Sequence, residues 1–128
     1  MSWKFRARVV VRSEELSISE ISEILGISCD DAKVKGTELT SKLEYKDNIW
    51  ILRSQIKQDK ELSIHIRNLE KRLKKHEQNF KKGIDGKASV YCSCCIEGES
   101  RPPLYLEPEN IIFLSRINAA LDIDQYVF

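Results

Sequence analysis

From Trp3 to Arg12 the chain alternates. Trp3, Phe5, Ala7, Val9 and Val11 hold the odd positions, and Lys4, Arg6, Arg8 and Arg12 hold all but one of the even ones, Val10 being the exception. A period of two is the mark of a strand with one buried and one wetted face. Ser17 and Glu20 then stand at capping-box spacing, with Leu16 and Ile21 at the positions of a hydrophobic staple, and predict a helix from Ile18 to Leu25. Gly26 follows, where a left-handed backbone costs glycine little and stops the helix. From Ser28 to Asn48 the chain is mostly polar. A structureless loop of that length is unusual in a compact domain, so the segment is expected to be a functional loop or to hold a short strand, with a turn at Gly36.

Ile49 to Ser54 predicts a second strand, with Trp50 and Leu52 on one face, Ile51 and Arg53 on the other, and both faces partly covered. Leu62, Ile66, Leu69, Leu73, His76 and Phe80 recur at spacings of four and three, which predicts one long amphipathic helix capped near Asp59. Ile64 lies off that stripe. Lys81 and Lys82 suit the negative end of the helix, Gly83 ends it, and Ile84-Asp85-Gly86 makes a turn. Ala88, Val90, Cys92, Cys94 and Ile96 alternate with Lys87, Ser89, Tyr91, Ser93 and Cys95 as a third strand. After a loop from Gly98 to Pro103, Pro108 opens a helix whose inner side is expected to carry Ile111, Leu114, Ile117 and Leu121, and Asp122 to Phe128 forms the last strand. The order strand, helix, strand, helix, strand, helix, strand gives an α+β fold: one domain over residues 1–128 with a single sheet of about four strands and helices mainly on one face.

Composition narrows the function. A chain of 128 residues that is 41% hydrophobic and 32% charged suits a globular protein and not a disordered one. Twenty-one Lys and Arg against twenty Asp and Glu leave a formal charge of +1, too little for bulk attraction to nucleic acid or anionic lipid. The start, Met1-Ser2-Trp3-Lys4-Phe5-Arg6, lacks the uninterrupted apolar stretch of a signal peptide, and no apolar run reaches membrane-spanning length. The four cysteines are therefore expected as free thiols in a cytoplasmic protein with no membrane partner.

Several landmarks together resemble the bacterial domain-of-unknown-function family numbered 4279. They are the opening alternating strand, the first helix ending in Leu25-Gly26, the Lys35-Gly36 step, Trp50 in its strand, Tyr91-Cys92-Ser93, and Leu121-Asp122-Ile123-Asp124-Gln125-Tyr126. The resemblance spans almost the whole chain. It implies a small bacterial α+β domain and carries no activity and no assigned residues.

Candidate chemistry must then be read from the residues. Cys92, Cys94 and Cys95 invite a metal reading, but a strand sends Cys95 away from the other two, and no second Cys or His pair follows at zinc spacing. Buried small hydrophobes are expected, with no metal and no cofactor. His65 and His76 lie eleven positions apart on one helix and cannot share an ion, and no nucleophile is evident beside the stripe residue His76. Lys71, Arg72, Lys74, Lys75, Lys81 and Lys82 form a basic outer helix face, interrupted by Glu70 and Glu77 and expected to be solvated.

Strand parity points to a surface. If Trp3, Phe5 and Val9 face the helices, Lys4, Arg6 and Arg8 line the other face with Tyr91 and Ser93, and Asp122, Asp124, Tyr126 and Phe128 join them from the last strand. The structural expectation is a ladder pairing Arg6 or Arg8 with Asp122 or Asp124. The functional expectation is a binding surface of Arg6, Arg8, Tyr91, Ser93, Asp122, Asp124 and Tyr126, where aromatic anchors stand beside charges. With no catalytic motif, the chain is expected to be a non-enzymatic protein-binding module of a bacterium, of the immunity or antitoxin type, neutralising a toxin partner. A nucleic-acid platform on the same face is the alternative. A small-ligand enzyme is a third reading and needs Arg6, Arg8, Asp124 and Tyr126 to converge on a concave pocket.

Overall fold

The computed structural model describes residues 3–128; Met1 and Ser2, with which the chain's opening begins, lie outside them. The order of elements is β1 (Lys4–Ser13), α1 (Ile18–Leu25), β2 (Asp31–Lys33), β3 (Asn48–Arg53), α2 (Leu62–Leu73), α3 (Glu77–Lys82), β4 (Ser89–Gly98), α4 (Pro108–Arg116) and β5 (Ala120–Val127). The α+β class holds. One mixed sheet has the order β2-β3-β1-β4-β5, in which β4 and β5 are parallel and the other neighbours antiparallel. It has five strands, one more than the alternation along the chain revealed. The extra strand, β2, is only three residues long and lies inside the polar segment.

All the helices contribute to one core. Ile21 and Leu25 of α1, Leu62, Ile66, Leu69 and Leu73 of α2, Phe80 of α3, and Phe113 and Leu114 of α4 pack with Phe5, Ala7, Val9, Val11, Trp50, Leu52, Cys92, Cys94 and Ile96 of the sheet. This accounts for the odd-position alternation of β1 and the even-position alternation of β4. The α1 signals act as expected. Ser17 Oγ accepts the Glu20 N–H, the Glu20 carboxylate accepts the Ser17 N–H, and Gly26 closes the helix at φ 77°.

Other expectations change. The long stripe is two helices: α2 stops at Leu73 and α3 begins after His76, so Asn79 comes under α1 and its Nδ2 donates to the last carbonyl turn at Leu25 (2.9 Å). The N-cap of α2 is Glu61 and not Asp59, and its side chain makes no cap hydrogen bond. Ile111 is exposed, whereas Asn110 is buried. The Asn110 side chain accepts the Glu107 N–H at 2.8 Å and donates to the Ser63 carbonyl, which turns the α4 face by one position. Leu121 belongs to β5 instead of lining α4, and it is 41% exposed.

The face away from the helices is covered in one half only. Val10, Ile49 and Ile51 form a small second cluster there, packed by Tyr91 and by Tyr45 from the loop after β2. That loop carries Gly36 at φ 87° and is pinned by hydrogen bonds from the Gly36 N–H to the Tyr45 carbonyl and from the Tyr45 N–H to the Thr37 carbonyl. The β1, β4 and β5 half remains bare.

Candidate binding groove on the bare sheet face

Strand register sets the side chains in rows. Arg53, Arg8, Ser93 and Asp122 occupy one row across β3, β1, β4 and β5; Arg6, Cys95 and Asp124 form the next; Lys4, Glu97 and Tyr126 form the third. Partners across a ladder share a sheet face, so guanidinium, carboxylate and phenol groups do stand on one layer. On leaving β3 the chain keeps close to β1, with the Ser54 N–H bonded to the Ala7 carbonyl and the Phe5 N–H to the Gln58 carbonyl. Ser54, Ile56 and Gln58 thereby become a wall beside the rows. The result is a groove of about 570 Å³ that includes Arg6, Arg8, Ser93, Asp124 and Tyr126 in its lining.

Five of the seven residues singled out from the sequence thus line one concavity. Tyr91 does not: it lies over Val10 and Ile51 in the small cluster. Asp122 stands in the Arg8 row but outside the groove lining.

The expected ladder of Arg6 or Arg8 with Asp122 or Asp124 does not form. Arg6 instead pairs with Glu97 (2.5 Å) and touches the Cys95 sulfur (3.4 Å), bonds that hold its pKa above the ordinary value, the thiol contributing first. Arg53 pairs with Asp31 at 2.8 Å. Among the described residues Arg8, Asp122 and Asp124 have no ion-pair partner. The reason is strand order: β4 lies between β1 and β5, so opposite charges sit two strand spacings apart, roughly 9.6 Å.

The groove wall holds a pair that the sequence did not reveal. Ser54 Oγ and His65 Nδ1 lie 2.7 Å apart, and His65 is only 1% exposed. Burial pushes the imidazole pKa down, against a weaker upward effect of the Lys60 and Lys57 backbone. That shift favours the neutral ring, in which Nδ1 either accepts the Ser54 hydroxyl proton or donates to its oxygen, according to the tautomer. His65 stands one position before the stripe residue Ile66, and its adjacency to the stripe is the one signal in the sequence that bears on its burial. Nothing in the sequence foretold that Ser54 would fold back onto it.

The basic helix face also changes. Arg72 turns inward, donating to Asp30 at 2.6 Å and to the Arg53 carbonyl at 2.7 Å, and Glu70 and Glu77 are both taken by Arg116 of α4. Lys71, Lys74, Lys75, Lys81 and Lys82 remain exposed, on the helical side of the molecule. Cys92 and Cys94 are buried on the core face with their sulfurs 3.7 Å apart, and Cys95 is on the opposite, bare face, as parity requires.

The profile of the family described as a domain of unknown function (DUF4279) matches residues 3–128. The chain belongs to that family. No curated protein and no solved structure matches it. Among the described residues no helix is long and apolar enough to cross a membrane.

Proposed function

We propose that this member of the DUF4279 family is a protein-binding module that grips a bacterial partner through the groove on its bare sheet face. The observation that carries the reading is the set of unpaired charges there: the Arg8 guanidinium and the Asp124 carboxylate, neither with an ion-pair partner among the described residues, share one concavity with the half-exposed Tyr126 ring. Tyrosine and arginine are enriched at protein interfaces, and unpaired charges of both signs can each gain a partner from a complementary surface. Neutralisation of a toxin is the form of binding proposed, and a cytoplasmic setting goes with it, in keeping with four free thiols.

The nucleic-acid reading draws less support. Two of the three arginines in the groove, Arg6 and Arg53, already hold carboxylates, and the groove's remaining charges, Arg8 and Asp124, cancel. The test is capture of a partner by the intact chain and by Arg8→Ala and Tyr126→Ala variants. Loss in both, with retention by a Lys74→Ala/Lys75→Ala variant on the helical side, is the expected result. Undiminished capture by the groove variants would remove the groove from the interaction.

One observation favours a second reading. The Ser54–His65 pair resembles a nucleophile with its base, and a fluorophosphonate probe decides it. Labelling that is lost in Ser54→Ala would support hydrolytic chemistry, whereas an unlabelled chain leaves the pair as a buried hydrogen bond that fixes the groove wall.

A further inference from the structure

The two edges of the sheet are treated differently. β2 ends the sheet in three residues, with Asp31 held by Arg53 and Lys33 beside it, and the chain then folds into the pinned loop. Such a short, charged edge offers little to an incoming strand. β5 ends the sheet at the other side in eight residues. Its register with β4 is unbroken from Ala120 to Val127, so it has no bulge, and it contains no proline. Leu121, Tyr126, Val127 and Phe128 are 41, 52, 58 and 81% exposed, and the neighbouring α4 adds exposed Ile111 and Ile112. A long, regular, apolar edge whose outer backbone groups face solvent is a template for strand pairing.

We propose that β5 receives an added strand from a protein partner whose sequence alternates basic and apolar residues. This deepens the protein-binding reading above and rests on it, since the same strand supplies Asp124 and Tyr126 to the groove. The chemistry of the incoming strand follows from the charges on the edge. On the bare face Asp122 and Asp124 stand two residues apart without ion-pair partners among the described residues, and on the helix side Leu121, Ile123 and Val127 alternate with them. A strand laid alongside therefore meets carboxylates on one face and aliphatic side chains on the other. Lys or Arg at every second position, with Val, Ile or Leu between them, complements both.

A second copy of the chain fits poorly. Two copies paired antiparallel with their bare faces on one side must set even residues against even ones. In the two registers with the longest overlap, over residues 120–126 or 121–127, Asp122 then faces Asp124 twice or Asp124 faces itself. Like charges directly opposite each other destabilise the pair. The same carboxylates that keep copies apart would hold a basic strand.

The test uses the full chain and a synthetic peptide of about nine residues alternating Lys and Val, with two comparison peptides: one with Glu in place of Lys, and one N-methylated at alternate residues so that it cannot form ladder bonds. Binding is read by fluorescence anisotropy at low and moderate salt. The Lys-Val peptide is expected to bind, with affinity lower by at least about tenfold for each comparison peptide. Asp122→Lys/Asp124→Lys is expected to reverse the preference toward the Glu-Val peptide. Equal binding of the N-methylated peptide would show attraction by charge without strand addition and would overturn the proposal, and so would failure of the Lys-Val peptide to bind. Sedimentation showing a dimer in the absence of peptide, dissociated by Leu121→Lys, would assign the edge to a second copy instead. Lys74→Ala/Lys75→Ala, on the helical side, is expected to leave peptide affinity unchanged. If the peptide binds while Arg8→Ala still captures the natural partner, the edge stands and the groove falls. If the groove variants lose the partner while the peptide fails, the reverse holds.

Discussion

Replacement of Arg72 by alanine should lower stability by about 2 kcal/mol, more than a surface ion pair normally contributes. Arg72 reaches from α2 to Asp30, just before β2, with Nη1 2.6 Å from Oδ2 and Nη2 3.2 Å from Oδ1, and Nη1 also donates to the Arg53 carbonyl at 2.7 Å. Asp30 Oδ2 accepts the Arg53 N–H as well, at 2.7 Å. One guanidinium and one carboxylate thus tie α2, the end of β3 and the approach to β2 together. The side chains are 19% and 27% exposed, which places them between the fully wetted pairs that contribute at most ~1 kcal/mol and the buried charge-assisted bonds worth ~1.5–3 kcal/mol each. Allowing for partial screening gives the figure above, and a double-mutant cycle with Asp30→Ala should return a coupling of ~1–1.5 kcal/mol.

Urea unfolding followed by tryptophan fluorescence should show this as a midpoint lower by roughly 1 M, for a slope of ~2 kcal/mol/M. The pH dependence checks the cause. Arg72 holds the Asp30 carboxyl below its ordinary pKa, with the Arg53 N–H acting in the same direction. A carboxylate depressed in the folded state contributes its stability in full above the unfolded value of about 3.9, and loses it as pH falls through the lower folded value. The gap between the wild-type chain and Arg72→Ala should therefore be constant above about pH 5 and narrow below about pH 4, leaving only the bond to the Arg53 carbonyl. A gap under ~0.5 kcal/mol at neutral pH, or one unchanged at pH 2.5, would refute the assignment.

Burial of His65 in its neutral form predicts that stability falls as pH drops below the unfolded histidine value of about 6.5, because the unfolded chain takes up a proton that the folded one resists. Denaturant titrations from pH 7.5 to 5 should show that slope, and His65→Gln should flatten it. Gly83→Ala should cost ~1–3 kcal/mol, since an added Cβ would come within 2.2 Å of Ile24 Cγ2 and 2.9 Å of the Asn79 carbonyl, and Ile24→Ala in the same chain should recover part of the loss in thermal melts. Asn110→Ala should cost about 2 kcal/mol by the same measurement, because it strips the part-buried Glu107 N–H and the buried Ser63 carbonyl of their partner.

What could be read from the sequence was what local periodicity encodes. The alternations of β1 and β4 and the capping box of α1 depend on neighbours within a few positions, and each took the expected form. The split between α2 and α3 was hidden because an apolar stripe continues through His76 whether or not the backbone does. β2 was open as a short strand somewhere between Ser28 and Asn48, and its place could not be read because three residues carry no period. Asn110 in place of Ile111 on the inner side of α4 reflects a polar side chain buried to serve two backbone groups, a choice that hydrophobicity cannot register. The site was legible by parity, which placed Arg6, Arg8, Ser93, Asp124 and Tyr126 on one face. Its walls were not, because Ser54 and Ile56 meet the sheet only through the path of the loop after β3, and His65 joins them from α2.

The failed ladder is the most informative of these differences. Parity correctly set arginines and aspartates on the same side, and adjacency was then assumed between β1 and β5. The sheet interposes β4, and at the Arg8–Asp122 level it interposes Ser93, whose side chain is too small to bridge the gap. Opposite charges two strands apart with a small residue between them can neither neutralise each other nor be covered by their own neighbours. Elsewhere on this same face the chain does cover itself, laying Tyr45 and Tyr91 over Val10, Ile49 and Ile51. The contrast between a sealed half and a half with charges held apart is the ground on which the groove is proposed to receive another molecule's side chains, and β5, the strand at its rim, that molecule's backbone.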